Sequence, residues 1–245
     1  MKLIKGIYAL FLMIFSLKIF NPKKEFKNKR IAIIGAADSA FVEKNGTFID
    51  GFDIVIRINK APHTWDPEKA DYIGSKFTYL FHSFFENNYS GGGPIDWEYF
   101  DKLGIEKVIN PNFTKKGLHT HINYYKRHLL FRKTYLLSQK SYCNLRRELR
   151  GFVPTVGFSA LLAALQSPCK EIFISGFTFF KTPYAKDYRG ELEDPEANKK
   201  HIEDQGLHNP DLEFEAFKSA LKNSPCGNIH FDKELQKLLK TGSLR

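Results

Sequence analysis

The sequence predicts an α/β protein with a single Rossmann-like, mainly parallel sheet flanked by helices. From residue 31 onward, short β runs alternate with helical stretches, the order that produces layered α/β folds. Two of the runs, Ile31-Ala-Ile-Ile34 and Asp53-Ile-Val-Ile-Arg-Ile58, have the apolar density of buried strands. Each closes on small or polar residues, Gly35-Ala-Ala-Asp-Ser39 and Asn59-Lys-Ala-Pro62, which suits a ligand site at strand ends. The 245 residues, 42% hydrophobic and rich in Phe, are enough for one larger domain or one domain with an appendage.

At the amino end, Gly6-Ile-Tyr-Ala-Leu-Phe-Leu-Met-Ile-Phe-Ser-Leu17 is apolar and flanked by Lys5 and Lys18. Spanning a bilayer takes roughly 17–25 apolar residues, so this run spans only if those lysines snorkel. An uncleaved membrane anchor over 1–20 is expected, with an in-plane helix as close competitor and a packed core helix as the third reading. Residues 21–30 read as a basic linker and 31–245 as the catalytic domain. Eight cations in the first thirty residues face one acid, Glu25, and draw this end toward an anionic membrane surface. Most of them follow the apolar run, which favours a cytoplasmic body.

Strands are expected over 31–35, 53–58, 77–81, 105–109 and 171–176. Gly91-Gly-Gly-Pro94 marks a flexible loop. Residues 119–150 look helical and basic. Ser159-Ala-Leu-Leu-Ala-Ala-Leu165 reads as a packed helix opened by Pro154-Thr-Val-Gly157. Residues 181–207 are polar and suit a lid, and 211–222 and 232–240 carry helical periodicity. Cys143, Cys169 and Cys226 have neither zinc spacing nor a paired framework, which fits a reducing compartment.

Four segments converge if the sheet is parallel: Gly35–Ser39, Arg57–Pro62, Pro154–Gly157 and Gly176–Thr178. Gly35 and Gly157 allow backbone to approach a nucleotide, and the helix near Gly157 offers free N–H groups to phosphate. Neither a GxGxxG fingerprint nor a Walker lysine motif is present. His208 precedes a helix that Asn209 or Asp211 can cap. There it is either a structural residue or a general base near neutral pH.

Residues 31–82 resemble the large sialylmotif of glycosyltransferase family 29 through Asp53-x-x-x-Arg57-x-Asn59-x-Ala-Pro62 and Ala70-Asp71-x-x-Gly74. Residues 153–178 are similar to the small sialylmotif, and His208 with Glu213 has the spacing of the very short motif. The stretch Ile174–Asp187 is also similar to the bacterial family 42 sialyltransferases. The resemblance implies a variant GT-A fold and metal-independent, inverting transfer from a CMP-activated sugar acid to a hydroxyl of an oligosaccharide, glycolipid or polysaccharide. His208 would be the general base. Tyr184, with Tyr188, would stabilise the leaving phosphate. Gly35, Ala36, Ser39, Asn59, Thr155, Val156, Gly157, Gly176, Thr178 and Glu213 would surround the donor.

The chain departs from the family 29 pattern at Ile31, which replaces a disulfide cysteine and leaves Cys169 without that partner. Ala36 stands where an Asn is usual, and Val156 replaces a hydroxyl residue. These departures leave sialic acid and a Kdo-type or other nonulosonate equally open. They also favour the cytoplasmic face of a bacterial membrane over a Golgi lumen. The competing readings are a non-catalytic nucleotide- or glycan-binding member and a basic nucleic-acid-binding protein; the chain contains no nucleic-acid recognition module.

Overall fold

A computed structural model describes residues 2–87, 91–185, 188 and 206–241. Its centre is one eight-stranded sheet in the order β1-β6-β5-β4-β3-β2-β7-β8, with every pairing parallel. The strands are β1 (Leu17–Phe20), β2 (Arg30–Ile34), β3 (Ile54–Ile58), β4 (Tyr79–Phe81), β5 (Lys107–Asn110), β6 (Thr134–Leu137), β7 (Glu171–Ser175) and β8 (Ile229–Phe231). The described helices are α1 (Lys2–Ser16), α2 (Pro22–Glu25), α3 (Gly46–Asp50), α4 (Ala61–Thr64), α5 (Ala70–Ile73), α6 (Trp97–Lys102), α7 (Lys115–His128), α8 (Gln139–Glu148), α9 (Val156–Leu165), α10 (Pro210–Lys222) and α11 (Lys233–Thr241).

Strand alternation sorts side chains to two faces. Ile31, Ile33, Ile54, Ile56 and Ile58 join α9, α10 and α11 in the larger core, with Leu161, Phe217 and Leu235 at its centre. Ala32, Ile34 and Val55 turn the other way, onto Ile49, Phe52 and Phe173. On that second side Ala9 and Leu12 of α1 meet Leu80, Phe100, Val108, Tyr124 and Tyr125. Helix α9 is buried at nearly every position, which explains why Phe158-Ser-Ala-Leu-Leu-Ala-Ala-Leu165 has almost no polar face.

The five expected strands are present with ends shifted by one or two residues. Three others differ from the sequence reading. Residues 119–150 are not one helical stretch: Leu129 closes α7 in the left-handed conformation (φ 51°), and β6 then enters the sheet beside β5. Residues 17–20 and 22–25, read as the end of an anchor and a linker, form edge strand β1 and helix α2, with Phe20 and Phe26 in the core. The three-residue β8 pairs with β7. No described helix is long and apolar enough to cross a membrane, and α1 has only 15 residues. Gly92, in the loop expected to be flexible, is pinned: its carbonyl accepts a hydrogen bond from His82 Nε2 at 2.8 Å.

The most conspicuous motif residue, Arg57, is fully buried and faces away from the site. Its Nη2 donates to the carbonyls of Ile73 (2.7 Å), Gly74 (3.2 Å) and Lys76 (3.0 Å), and its guanidinium lies 4.7 Å from the centre of the Phe77 ring. Asp50 holds the same loop by accepting from the amides of Ser75 and Lys76. Burial pushes the Arg57 pKa down to about 9, so it stays charged at neutral pH. Arg57 and Gly74 therefore fasten the crossover between β3 and β4. Replacing Arg57 with Leu removes its bonds to the Ile73 and Lys76 carbonyls, leaves Gly74 with only its bond from the Trp65 indole, and is expected to cost about 3 kcal/mol of unfolding free energy, measured by urea titration.

Candidate active site

Because all eight strands run the same way, their carboxyl ends open onto one edge, and a cavity of about 580 Å³ lies there. Its walls come from the turns after β2 (Gly35–Ala37), β3 (Asn59), β4 (Ser83), β5 (Asn110–Asn112) and β7 (Gly176–Phe180), from the first turn of α9, and from residues 207–208 before α10. This is the position at which open parallel sheets take ligands.

The turns after β2 and β7 touch through backbone. A Cβ added to Gly35 would lie 2.1 Å from the Gly176 carbonyl oxygen, and Gly176 has φ +75°. The amides of Gly35 and Ala37 donate to Ser175 and Gly176 carbonyls, and the Gly176 amide donates to the buried carboxylate of Asp232 at 2.7 Å. Both glycines are required by this crossing of two turns. Asn59 sits at φ +51°, a left-handed position that Asn tolerates. Its Oδ1 accepts from the Ser83 amide at 3.1 Å, which leaves its amide nitrogen toward Gly91 and the cavity.

The second half of the site is a suture between residues 153–155 and 207–213. The Val153 amide donates to the Leu207 carbonyl at 2.9 Å, and His208 Nδ1 donates to the Val153 carbonyl at 2.7 Å. The Thr155 amide and hydroxyl donate to the two carboxylate oxygens of Glu213 at 2.6 and 2.9 Å. Thr155 Oγ1 also accepts from the Phe158 amide and so caps α9, while Asn209 caps α10 through the Leu212 amide. With Nδ1–H committed to a carbonyl, the tautomer of His208 is set and Nε2 carries the lone pair. Burial lowers the His208 pKa; the bond to Val153 opposes that, and the charge of Lys116 adds to it.

Burial raises the Glu213 pKa to about 8, against the bonds from Thr155. At neutral pH Glu213 is therefore mainly an uncharged acid. Among the described lining residues, Lys116 of α7 is then the one full charge. No three His, Cys, Asp or Glu side chains converge as metal ligands among the described residues.

Twelve of the thirteen expected site residues meet at this cavity: Gly35, Ala36, Asn59, Thr155, Val156, Gly157, Gly176, Thr178, Tyr184, Tyr188, His208 and Glu213. Ser39 does not; it is buried in the turn after β2 and does not line the wall. Glu213 spends both oxygens on Thr155 and acts on the site through the α9 cap. The Tyr188 hydroxyl donates to the Ile58 carbonyl at 3.3 Å, and its ring stacks on Tyr184 at 5.3 Å. Tyr184 is half-buried and fixed by a bridge to Ala37. Of the lid expected over 181–207, residues 186–187 and 189–205 lie outside the described residues.

Sequence reasoning missed Ser83, Asn110, Asn112, Lys116 and Asp232. The first three follow β4 and β5, so the strand-end rule applied to every strand finds them. Lys116 carries no local signal, and Asp232 follows β8, a strand the sequence reading did not find.

Among solved structures, the chain is similar to a crystal structure of a mammalian sialyltransferase (TM-score 0.56, 18% identity, 93% of this chain and 78% of that one). It is also similar to a mammalian sialyltransferase in complex with Gal-beta-1-3GalNAc-ortho-nitrophenol (TM-score 0.56, 16% identity, 91% and 77%). No family model and no curated protein matches the chain. At these identities the likeness establishes a shared fold: one parallel sheet with flanking helices, over most of this chain.

Glu213 gives a sharp test of the suture. Its folded pKa, about 8, lies above its ordinary 4.5, so the folded state holds the extra proton between those values. Its contribution is full below about pH 4.5 and is lost as pH rises toward 8. Glu213→Gln does not titrate; its amide oxygen keeps the bond from the Thr155 amide and its NH2 can donate to Thr155 Oγ1 in place of the second, so its denaturant stability should fall less between pH 5 and 8 than that of the wild type. Glu213→Ala strands the Thr155 amide and is expected to cost about 1–3 kcal/mol at pH 5.

Proposed function

We propose that the chain is a sialyltransferase-like, inverting glycosyltransferase that moves a sialic acid or a related, Kdo-type nonulosonate from a CMP-sugar to a glycan hydroxyl. The observation that carries this reading is His208. It stands at a cavity built from the carboxyl ends of a parallel sheet, with its tautomer fixed by the Val153 carbonyl and Nε2 available to take a proton. The fold likeness to sialyltransferases and the sialylmotif-like residues at the same cavity support it.

In this mechanism the donor lies across the two halves of the site. The nucleotide sits against Gly35, Ala36, Asn59, Gly176 and Thr178. The sugar acid faces Thr155, Val156 and Gly157 at the start of α9, where unpaired amides and the helix dipole favour a carboxylate. Lys116 balances part of the negative charge of phosphate and carboxylate. His208 Nε2 removes the proton of the acceptor hydroxyl as its oxygen attacks the anomeric carbon and the bond to the phosphate breaks. The electron pair leaves with CMP, and Tyr184 donates a hydrogen bond to that phosphate. We assign no metal to these steps.

For location we propose the cytoplasmic face of a bacterial membrane, with a membrane-borne or soluble glycan as acceptor. Three free cysteines, and Ile31 in place of the disulfide partner of Cys169, support that side.

A mass-spectrometric screen of CMP-sugars with glycan acceptors tests the reaction. Transfer from CMP-sialic acid or CMP-Kdo is expected, and a folded chain that binds CMP yet transfers nothing would favour the binding-only reading. His208→Ala should lower kcat by about 10²–10⁴ while leaving CMP affinity intact. The rate falls as His208 becomes protonated, so the acid limb of the kcat/KM profile should lie below pH 6.5; Lys116→Ala, which removes a charge that lowers this pKa, should move that limb to higher pH.

A further inference from the structure

Helix α1 is apolar almost all round, yet it packs along only one narrow stripe. Ala9, Leu12 and Ser16 are buried, with Met13 against the same core beside α7. The other large apolar side chains are open to solvent: Leu3 and Ile4 are 76% and 72% exposed, Ile7 and Ile14 both 63%. Tyr8, Phe11 and Phe15 form a continuous aromatic row along this outer side, with ring centres 6.4 and 4.6 Å apart. The segment after α7 also lifts Phe131 into solvent (67% exposed), three residues before Thr134 pairs with Leu17, the residue that follows α1. Soluble monomers rarely leave contiguous apolar patches larger than a few hundred Å².

The patch has a cationic rim. Lys5 and Lys18 bracket the helix, Lys126 lies beside Gly6, and Lys133 immediately precedes β6. None of the four makes an ion pair among the described residues, whereas Arg127 and Arg132 nearby are paired with Glu86 and Asp101. A second copy of the chain is a poor occupant. A twofold contact through this patch would bring its unpaired lysines against one another with no acid to answer them. The exposed edge of β1 is only four residues long and carries Lys18, the usual device against strand-to-strand pairing. An anionic lipid surface satisfies both components, with acyl chains for the apolar row and headgroups for the lysines.

We propose that the outer face of α1 and the Phe131 segment form one in-plane docking surface for an anionic bilayer. At 15 residues α1 is about 22 Å long, too short to span a bilayer but well suited to lying at the acyl–headgroup boundary. The surface recognises lipid whatever reaction the cavity performs.

Flotation of the full-length chain with vesicles of phosphatidylcholine, alone or mixed with phosphatidylglycerol, tests this. The chain should float with the anionic vesicles and much less with the neutral ones. Lys126→Glu with Lys133→Glu should lower the anionic partition by at least about fivefold for each cation lost. Phe11→Ser with Phe15→Ser, and separately Phe131→Ser, should weaken binding to both vesicle types while leaving the thermal unfolding midpoint unchanged, since these rings are exposed. A wild-type chain that stays in solution with anionic vesicles overturns the proposal. So does a concentration-dependent dimer, seen by light scattering without lipid and abolished by Phe11→Ser.

Discussion

The site depends on one buried contact, the bond pair from Thr155 to the Glu213 carboxylate. Thr155 begins α9, the helix that fills the larger core against β2, β3 and β7; Glu213 belongs to the first turn of α10. Joining them fixes the short segment that carries His208, whose ring is then held by the Val153 carbonyl. An acid buried this deeply is held near its uncharged form, so the joint adds no negative charge to a cavity where Lys116 is the remaining cation. The same contact thus provides geometry and electrostatics together: a histidine of fixed tautomer beside a chamber to which the buried acid adds no charge.

Sequence similarity to functional motifs marks residues that a site needs, including those that never touch a ligand. Arg57 and Gly74 hold the β3–β4 crossover beneath the cavity. Gly35 and Gly176 let two turns cross. Glu213 works through the α9 cap. Asn59 and the first-turn residues of α9 line the cavity directly, as does Tyr184, while the Tyr188 hydroxyl is bonded to the Ile58 carbonyl. The substitutions Ala36 and Val156 both fall on the cavity wall, so the chamber is more apolar there than the family pattern implies.

The legible parts of the sequence were those where local pattern and tertiary role agree. β2 and β3 are isoleucine-rich and buried, and α9 is small and apolar throughout, so composition alone gave their nature. Strands β1, β6 and β8 were not legible, because each lies in a stretch whose local pattern points to something else or to nothing and is defined by its neighbour in the sheet. β1 in particular continues an apolar run that hydropathy assigns to a membrane segment, and only its pairing with β6 marks it as part of the sheet. Within the site, turns that follow recognised strands were readable. Lys116 was hidden because α7 brings it to the cavity from a basic stretch of sequence with no distinctive spacing.

The central claim is that the edge formed by β2, β3 and β7 with the first turn of α9 is a CMP-sugar site. Amide chemical-shift mapping of the isotopically labelled chain during titration with CMP tests it most directly. The account expects perturbations concentrated at Gly35–Ala37, Asn59, Val156–Gly157 and Gly176–Thr178, the amides that line the cavity. Saturable binding that shifts amides elsewhere while leaving these unmoved, or no binding at millimolar CMP by a folded chain, would contradict it.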